Sequence, residues 1–146
     1  MHFTIERASL LAVLNHVHTV VERRNTIPIL SNVLINAADN QIQLTATDMD
    51  LTVEEQAAAS ILTEGGTTLS AHMLYDIVRR LPDGTQVELK VETENQRCKV
   101  SAGRSTFELP TLPRDDFPTI RHDDLTQKIA VKSGDLKTLI DRTKFA

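Results

Sequence analysis

Ionisable residues are plentiful in this chain, but few are spaced as chemistry requires. Asp48 and Asp50 alternate in TATDMD, on what reads as a strand, so their carboxylates fall on one face, with Glu54 and Glu55 close behind. Paired carboxylates can hold a cation or share acid and base work. Such a site draws groups from several elements and usually includes a histidine or a glycine-rich loop. Neither accompanies this pair, so solvated carboxylates at a strand end are the expectation. His16 and His18 stand two apart on a helix and face different ways. His2 sits in a strand, His72 opens a helix and His122 lies in a charged, proline-bearing stretch. No HExxH or comparable ligand spacing joins them, and no metal is expected. Cys98 is the sole cysteine, so it makes neither an internal disulfide nor a thiolate metal site. Between Arg97 and Lys99 in an alternating run it reads as a small buried filler, suited to a reducing cytoplasm. There is no GxSxG, phosphate loop or dinucleotide fingerprint, and GGTT and AGRS are too short to count. Neither catalysis nor a cofactor is expected.

The positive charges are the better lead. Arg23 and Arg24 stand side by side in VERRNTIPILSN, just before what reads as a buried strand. On a second helix His72, Asp76, Arg79 and Arg80 share a face opposite an aliphatic stripe, and Lys137, Asp141 and Lys144 do the same on a third. Taken singly these are solvated helix faces. Set side by side, such faces make a broad, weakly basic surface suited to phosphate oxygens, without base reading.

The elements that must carry these residues are ordered simply. HFTIE alternates as a strand, and Leu10, Val13, Leu14, Val17 and Val21 recur at helical spacing after it. RRNTIP is a loop, because Pro28 biases Ile27 to extended geometry. ILSNVLINA, a polar turn at ADNQ and IQLTATDMD read as a hairpin, and LTVEEQAAA as a further strand before a turn at TEGG. The order then repeats: TTLSA as a strand, then HMLYDIVRRL as a helix with Met73, Leu74, Ile77, Val78 and Leu81 inward. TQVELKVE, RCKVSAG and STFELPTL follow as strands. Each half thus reads strand–helix–strand–strand–strand, an internally duplicated α+β unit. A further repeat shows in the residues themselves: KIAVKSGDLKTLIDRT (128–143) overlays HFTIERASLLAVLNHV (2–17) with Ile129 and Val131 on Phe3 and Ile5, and Leu136 on Leu10. LPRDDFPTIRHDDLTQ, between, has the composition of a linker. The expected organisation is one domain over 1–122, and over 123–146 a linker with the opening strand and helix of an incomplete second copy.

Composition bounds the partners. The 146 residues carry 16 Lys+Arg against 20 Asp+Glu, so the surface as a whole does not invite a polyanion. Residues 1–60 hold 3 positive and 7 negative side chains, whereas residues 126–146 hold 5 and 2. With no Trp, one Tyr and four Phe, the stacking platforms of many single-strand binders are not expected. No apolar run approaches the roughly 20 residues of a membrane helix, and MHFTIERASLL lacks the layout of a signal peptide.

At these residues a resemblance enters. MHFTIERASLLAVL, NTIPILSNVLI, LTATDMDLTVE, VSAGRSTFELPTLPRDDFP and KIAVKSGDLKTLI, in this order and spacing, resemble the β subunit of bacterial DNA polymerase III, the sliding-clamp family, over essentially the whole chain. The resemblance implies an α+β DNA-clamp fold, with helices on one face of antiparallel sheets. It further implies three such domains per subunit and two subunits closed head to tail into a ring that encircles duplex DNA. That ring is non-catalytic, is opened by an ATP-driven clamp loader, and tethers DNA polymerase III. A ring that must slide holds DNA through few, sequence-independent phosphate contacts.

Site residues follow residue by residue from the same resemblance. Arg24 matches a DNA-facing arginine in the loop after the first helix, and Arg79 an arginine on the second helix. His72 stands where the family's well-known member has an arginine, a departure that weakens phosphate contact at neutral pH. Phe107 and Leu109, with Arg104 beside them, match an edge strand that meets the partner subunit. The polymerase and loader peptide pocket, and the other half of the ring contact, belong to parts of the family's subunit beyond Ala146. The alternative from another class is a stand-alone α+β interaction module that keeps the fold without forming a ring.

Overall fold

The computed structural model describes residues 1–22, 26–92, 96–118 and 129–144. The first half runs β1 (His2–Glu6), α1 (Arg7–Val17), β2 (Asn32–Ala38), β3 (Gln41–Thr47), β4 (Thr52–Ala58) and β5 (Ser60–Thr63). The second runs β6 (Gly65–Ser70), α2 (Ala71–Arg80), β7 (Gln86–Glu92), β8 (Arg97–Ala102) and β9 (Ser105–Leu112). Every pairing is antiparallel, in the order β4-β3-β2-β6-β9-β8-β7-β1-β5. The order exposes the duplication. β9 pairs with β8 through residues 105–110 and passes to β6 at Thr111 and Leu112. The β4–β5 segment likewise pairs with β3 and then, past Ala59, with β1. Each half thus ends in a strand that crosses from one sheet to the other. The unit is the α+β arrangement expected from the sequence.

Alternation drives the layering. Val33, Ile35 and Ala37 of β2, Ile42, Leu44 and Ala46 of β3, Val87 and Leu89 of β7, and Cys98 and Val100 of β8 all face a single core. α1 adds Leu10, Val13, Leu14 and Val17, and α2 adds Ala71, Leu74 and Val78. Each fully buried leucine is worth about 2 kcal/mol of transfer free energy. Among the described residues Phe3 is the one aromatic fully buried in that aliphatic cluster, and Phe117 is buried outside it. The β2–β3 turn is held by Asp39 and Asn40 at φ 51° and 59°, the left-handed pair that a tight two-residue hairpin demands.

Arg7 joins the two helices. Its Nε donates to the Val78 carbonyl (3.1 Å), its Nη2 to the Arg79 carbonyl (2.9 Å) and its Nη1 to Asp83. At the C-terminus of α2 the Arg79 carbonyl thereby gains a cationic donor, and the Val78 carbonyl gains a second one beside the Leu81 amide (3.2 Å), a placement of charge that also suits the helix dipole.

Several sequence expectations change. Asp48 and Asp50 do not alternate on a strand; they lie in the turn after β3. There the Asp48 carboxylate accepts from the Asp50 and Leu51 amides (3.0 and 2.7 Å), which hold its carboxyl below the usual range, the Leu51 bond foremost. TEGG is not a free turn, since Thr63 closes β5 and Gly65 opens β6 around the single residue Glu64. Met73 is 46% exposed, not inward. The stretch PILS forms a 3₁₀ turn, so β2 begins only at Asn32.

The expected linker is partly structural. Residues Arg114–Asp116 make a short 3₁₀ turn, and Phe117 is buried. Residues 129–132 form no ladder, while Ser133–Thr143 forms the helix α3. A helix supplies its own hydrogen bonds, whereas a strand needs a neighbour. All of residues 129–144 are exposed, including Leu136, Leu139 and Ile140.

Candidate nucleic-acid and subunit interfaces

α1 and α2 form a helix layer whose outer side carries the candidate DNA contacts. On α1 the exposed positions are Ala8, Ala12, Asn15 and His16, a slim and uncharged stripe apart from the imidazole. The cations sit on α2. Arg79 pairs with Asp76 (2.9 Å) and lies over the Tyr75 ring, 5.7 Å from its centroid. Its charge is thus partly answered within the helix, and the planar guanidinium is held in place. Arg80 is exposed, and its side chain lines a groove on the β9 side of α2.

His72 is not a free end. Its Nε2 donates to the Val21 carbonyl (2.8 Å), fastening α2 to the turn that follows α1. His18, at the C-terminal cap of α1, meets it edge to face with ring centroids 5.9 Å apart. His18 also stacks on Tyr75 at 3.9 Å and 10° and donates from Nδ1 to the Leu14 carbonyl (2.8 Å). Arg79, Tyr75, His18 and His72 therefore form one continuous contact series across both helices. Sequence reasoning named Arg79 and His72 but missed His18 and Tyr75. Helical spacing orders residues within one helix and is silent on which turn of α1 meets which turn of α2. Arg23 and Arg24 lie outside the described residues, as does His122.

The second surface is the free side of β9. Residues 105–110 pair with β8 on one side, and among the described residues no strand covers the other. Phe107 is 36% exposed, whereas Leu109 is 3% exposed and belongs to the core. The two share a face, as expected, but only Phe107 reaches the surface. Arg104 sits beside them in the β8–β9 turn, where Gly103 takes φ 57°. Between β9 and α2 opens a groove of about 560 Å³, lined by Met73, Ile77, Leu81 and Phe107 with Asp76 and Arg80 at its border. An exposed methionine and phenylalanine beside an open strand edge offer both apolar contact and backbone pairing. Met73 belongs to this surface although periodicity had assigned it inward, whereas Ile77 lines the groove and still packs against the core, as its spacing implied.

Among the described residues no cluster of three or more histidine, cysteine or acidic side chains converges as a metal site. Cys98 is buried, and burial pushes its thiol up to about 12. No helix among the described residues is long and apolar enough to cross a membrane.

A duplicated α+β domain with a two-helix layer on one face and a strand edge open on its flank has the architecture of sliding clamps. The solved structure of Caulobacter crescentus pol III beta superposes with a TM-score of 0.93 at 49% identity, covering 100% of this chain and 40% of that one. The DNA polymerase III subunit beta from Pseudomonas aeruginosa superposes at 0.91 with 40% identity. Residues 1–121 match the family described as DNA polymerase III beta subunit, N-terminal domain, and the chain belongs to that family. In sequence, the Beta sliding clamp of Caulobacter vibrioides is 49% identical over 146 residues, which are 100% of this chain and 39% of that protein. A Beta sliding clamp sequence from Vibrio harveyi is 36% identical over 147 residues, the full length of both. The chain thus spans about two fifths of the Caulobacter relative.

Proposed function

We propose that this chain is the first part of a sliding-clamp subunit, a non-catalytic processivity factor of the bacterial replicative polymerase acting in the cytoplasm. The observation that carries the reading is the open groove beside β9. Phe107 and Met73 stand exposed next to an unpaired strand edge, in a domain whose relatives are named sliding clamps. In this reading the edge meets the third domain of a second subunit, with Phe107 in contact, Leu109 supporting it from the core and Arg104 at the rim. Two subunits close a ring around duplex DNA, and the helix layer faces the phosphates through Arg24, Arg79 and His72. An acidic chain with few cationic contacts holds DNA weakly, as sliding requires. Residues 1–122 belong to the first domain, and 123–146 to a linker and the start of a second, whose opening strand would pair only with the rest of that domain. The exposed Leu136, Leu139 and Ile140 are then core residues awaiting the rest of that domain. DNA polymerase III and the clamp loader dock on parts of the subunit beyond Ala146.

The test is the mass in solution of this chain mixed with a protein supplying the remaining clamp domains. Association that is lost on Phe107→Glu, with the fold intact, supports the ring contact. Association indifferent to Phe107→Glu and Met73→Glu, or none at all, favours a clamp-fold module without a ring.

A further inference from the structure

We propose that His18 and His72 together form a proton-gated contact for phosphodiester oxygens, through which the helix layer grips duplex DNA more firmly as pH falls. The inference rests on the DNA-facing role proposed for that layer. It begins with the hydrogen bonds of the two rings. Nδ1 of His18 is engaged by the Leu14 carbonyl and Nε2 of His72 by the Val21 carbonyl, each at 2.8 Å. A carbonyl only accepts, so both of these nitrogens carry the hydrogen. The neutral tautomers are thereby set, leaving a lone pair on Nε2 of His18 and on Nδ1 of His72.

A lone pair repels a phosphate oxygen. The same nitrogen, once protonated, donates to that oxygen with the assistance of its charge. Neither ring can hold phosphate while neutral, and both can as imidazolium, in contrast to an arginine, which is charged throughout. The other two described histidines on ordered elements behave differently. His2 is engaged by Glu88 at 2.6 Å and His16 by Glu55 at 2.8 Å, so a proton on either is answered internally. Among the described residues, His18 and His72 have no such carboxylate partner.

The charged surroundings are close to balanced. Arg79 lies over the Tyr75 ring on which His18 stacks, and is bound to Asp76. Asp76 and Arg80 line the groove that His72 also lines, and Glu22 follows the Val21 carbonyl in sequence. A proton taken up by either ring is therefore a net gain of positive charge on this face. Tyr75, stacked against His18, keeps that ring fixed between α1 and α2.

The test follows backbone amide and imidazole nitrogen signals of the whole chain as a short DNA duplex is added at low salt, at about pH 6 and about pH 8. At the lower pH, DNA is expected to drive Nε2 of His18 and Nδ1 of His72 to their protonated positions while the His2 and His16 signals stay put. The salt dependence of binding steepens from the higher to the lower pH by up to about 2, near one counterion for each ring. His18→Asn halves that difference with the amide spectrum otherwise retained. DNA-induced amide shifts on α2, with unmoved imidazole nitrogens and one salt slope at both pH values, overturn the proton gate and leave the DNA-facing role standing. A folded chain whose signals ignore DNA at both pH values overturns the two together.

Discussion

The guanidinium of Arg7 donates to the carbonyl of Val78 at 3.1 Å, so the first residue of one helix closes the last turn of the other. Its second bond, to the Arg79 carbonyl, falls beside the residue that carries the candidate DNA contact. Arg7→Ala leaves the Arg79 carbonyl without this donor and the Val78 carbonyl with the Leu81 amide alone, and is expected to cost about 2 kcal/mol. Arg7→Lys restores only part of this, because an ammonium cannot serve two carbonyls in a fixed fork. Urea unfolding checks it: the midpoint falls with an unchanged slope.

Phe107 and Leu109 are two residues apart on one face of β9 and differ in what they support. Leu109→Ala opens a core cavity and is expected to cost about 3 kcal/mol. Phe107→Ala is expected to cost less than about 1 kcal/mol in the isolated chain. Thermal melts of the two variants side by side decide it, and equal losses would remove Phe107 from the list of surface contacts.

Cys98 makes stability depend on pH on the alkaline side. Its thiol is raised by burial from 9.0 to about 12 in the folded chain. Below the lower value both states keep the proton and stability is unaffected. Above it the unfolded chain loses a proton that the folded chain retains, so stability falls as pH rises through this window, by up to about 1.4 kcal/mol per pH unit. Cys98→Ala is expected to remove that slope, which urea midpoints at about pH 8 and about pH 10 would show. The native thiol is also expected to resist alkylation until the chain unfolds.

Phe117 extends the folded unit past β9. Phe117→Ala is expected to destabilise the domain by about 3 kcal/mol, although the residue lies in a stretch with the composition of a linker. A chain ending at Leu112 should lose a comparable amount in a denaturant titration.

Leu139 and Ile140 of α3 are 59% and 55% exposed. Leu139→Ala is expected to change the stability of this chain by less than about 0.5 kcal/mol. In a chain extended through a second domain, the same change should cost about 3 kcal/mol. Calorimetry of both proteins separates a helix that is merely exposed from one that is waiting for a core.

Much of the fold was legible in the residues because periodicity is local. The spacing of Leu10, Val13, Leu14 and Val17 and the alternation of Val33, Ile35 and Ala37 determine one helix stripe and one strand face without reference to anything distant. The duplication and the core followed from such patterns, and the buried, solitary Cys98 did too. The failures share a cause. Met73 sits on the correct helix, but whether a helix flank is covered depends on what packs against it from elsewhere in the chain, and Met73 lines an open groove instead. Asp48 reads as a strand residue until its carboxylate is seen capping the turn after β3.

The sequence by itself determined the domain's element order apart from β5, its internal repeat, the aliphatic core and the residues that match the clamp family. Only the tertiary structure decided that Phe107 is open while Leu109 is buried, that Arg79 is shared with Asp76, and that His18 and His72 meet across two helices. These are relations between side chains far apart in the chain. They depend on packing angles and strand ends, and no local pattern in the residues encodes either.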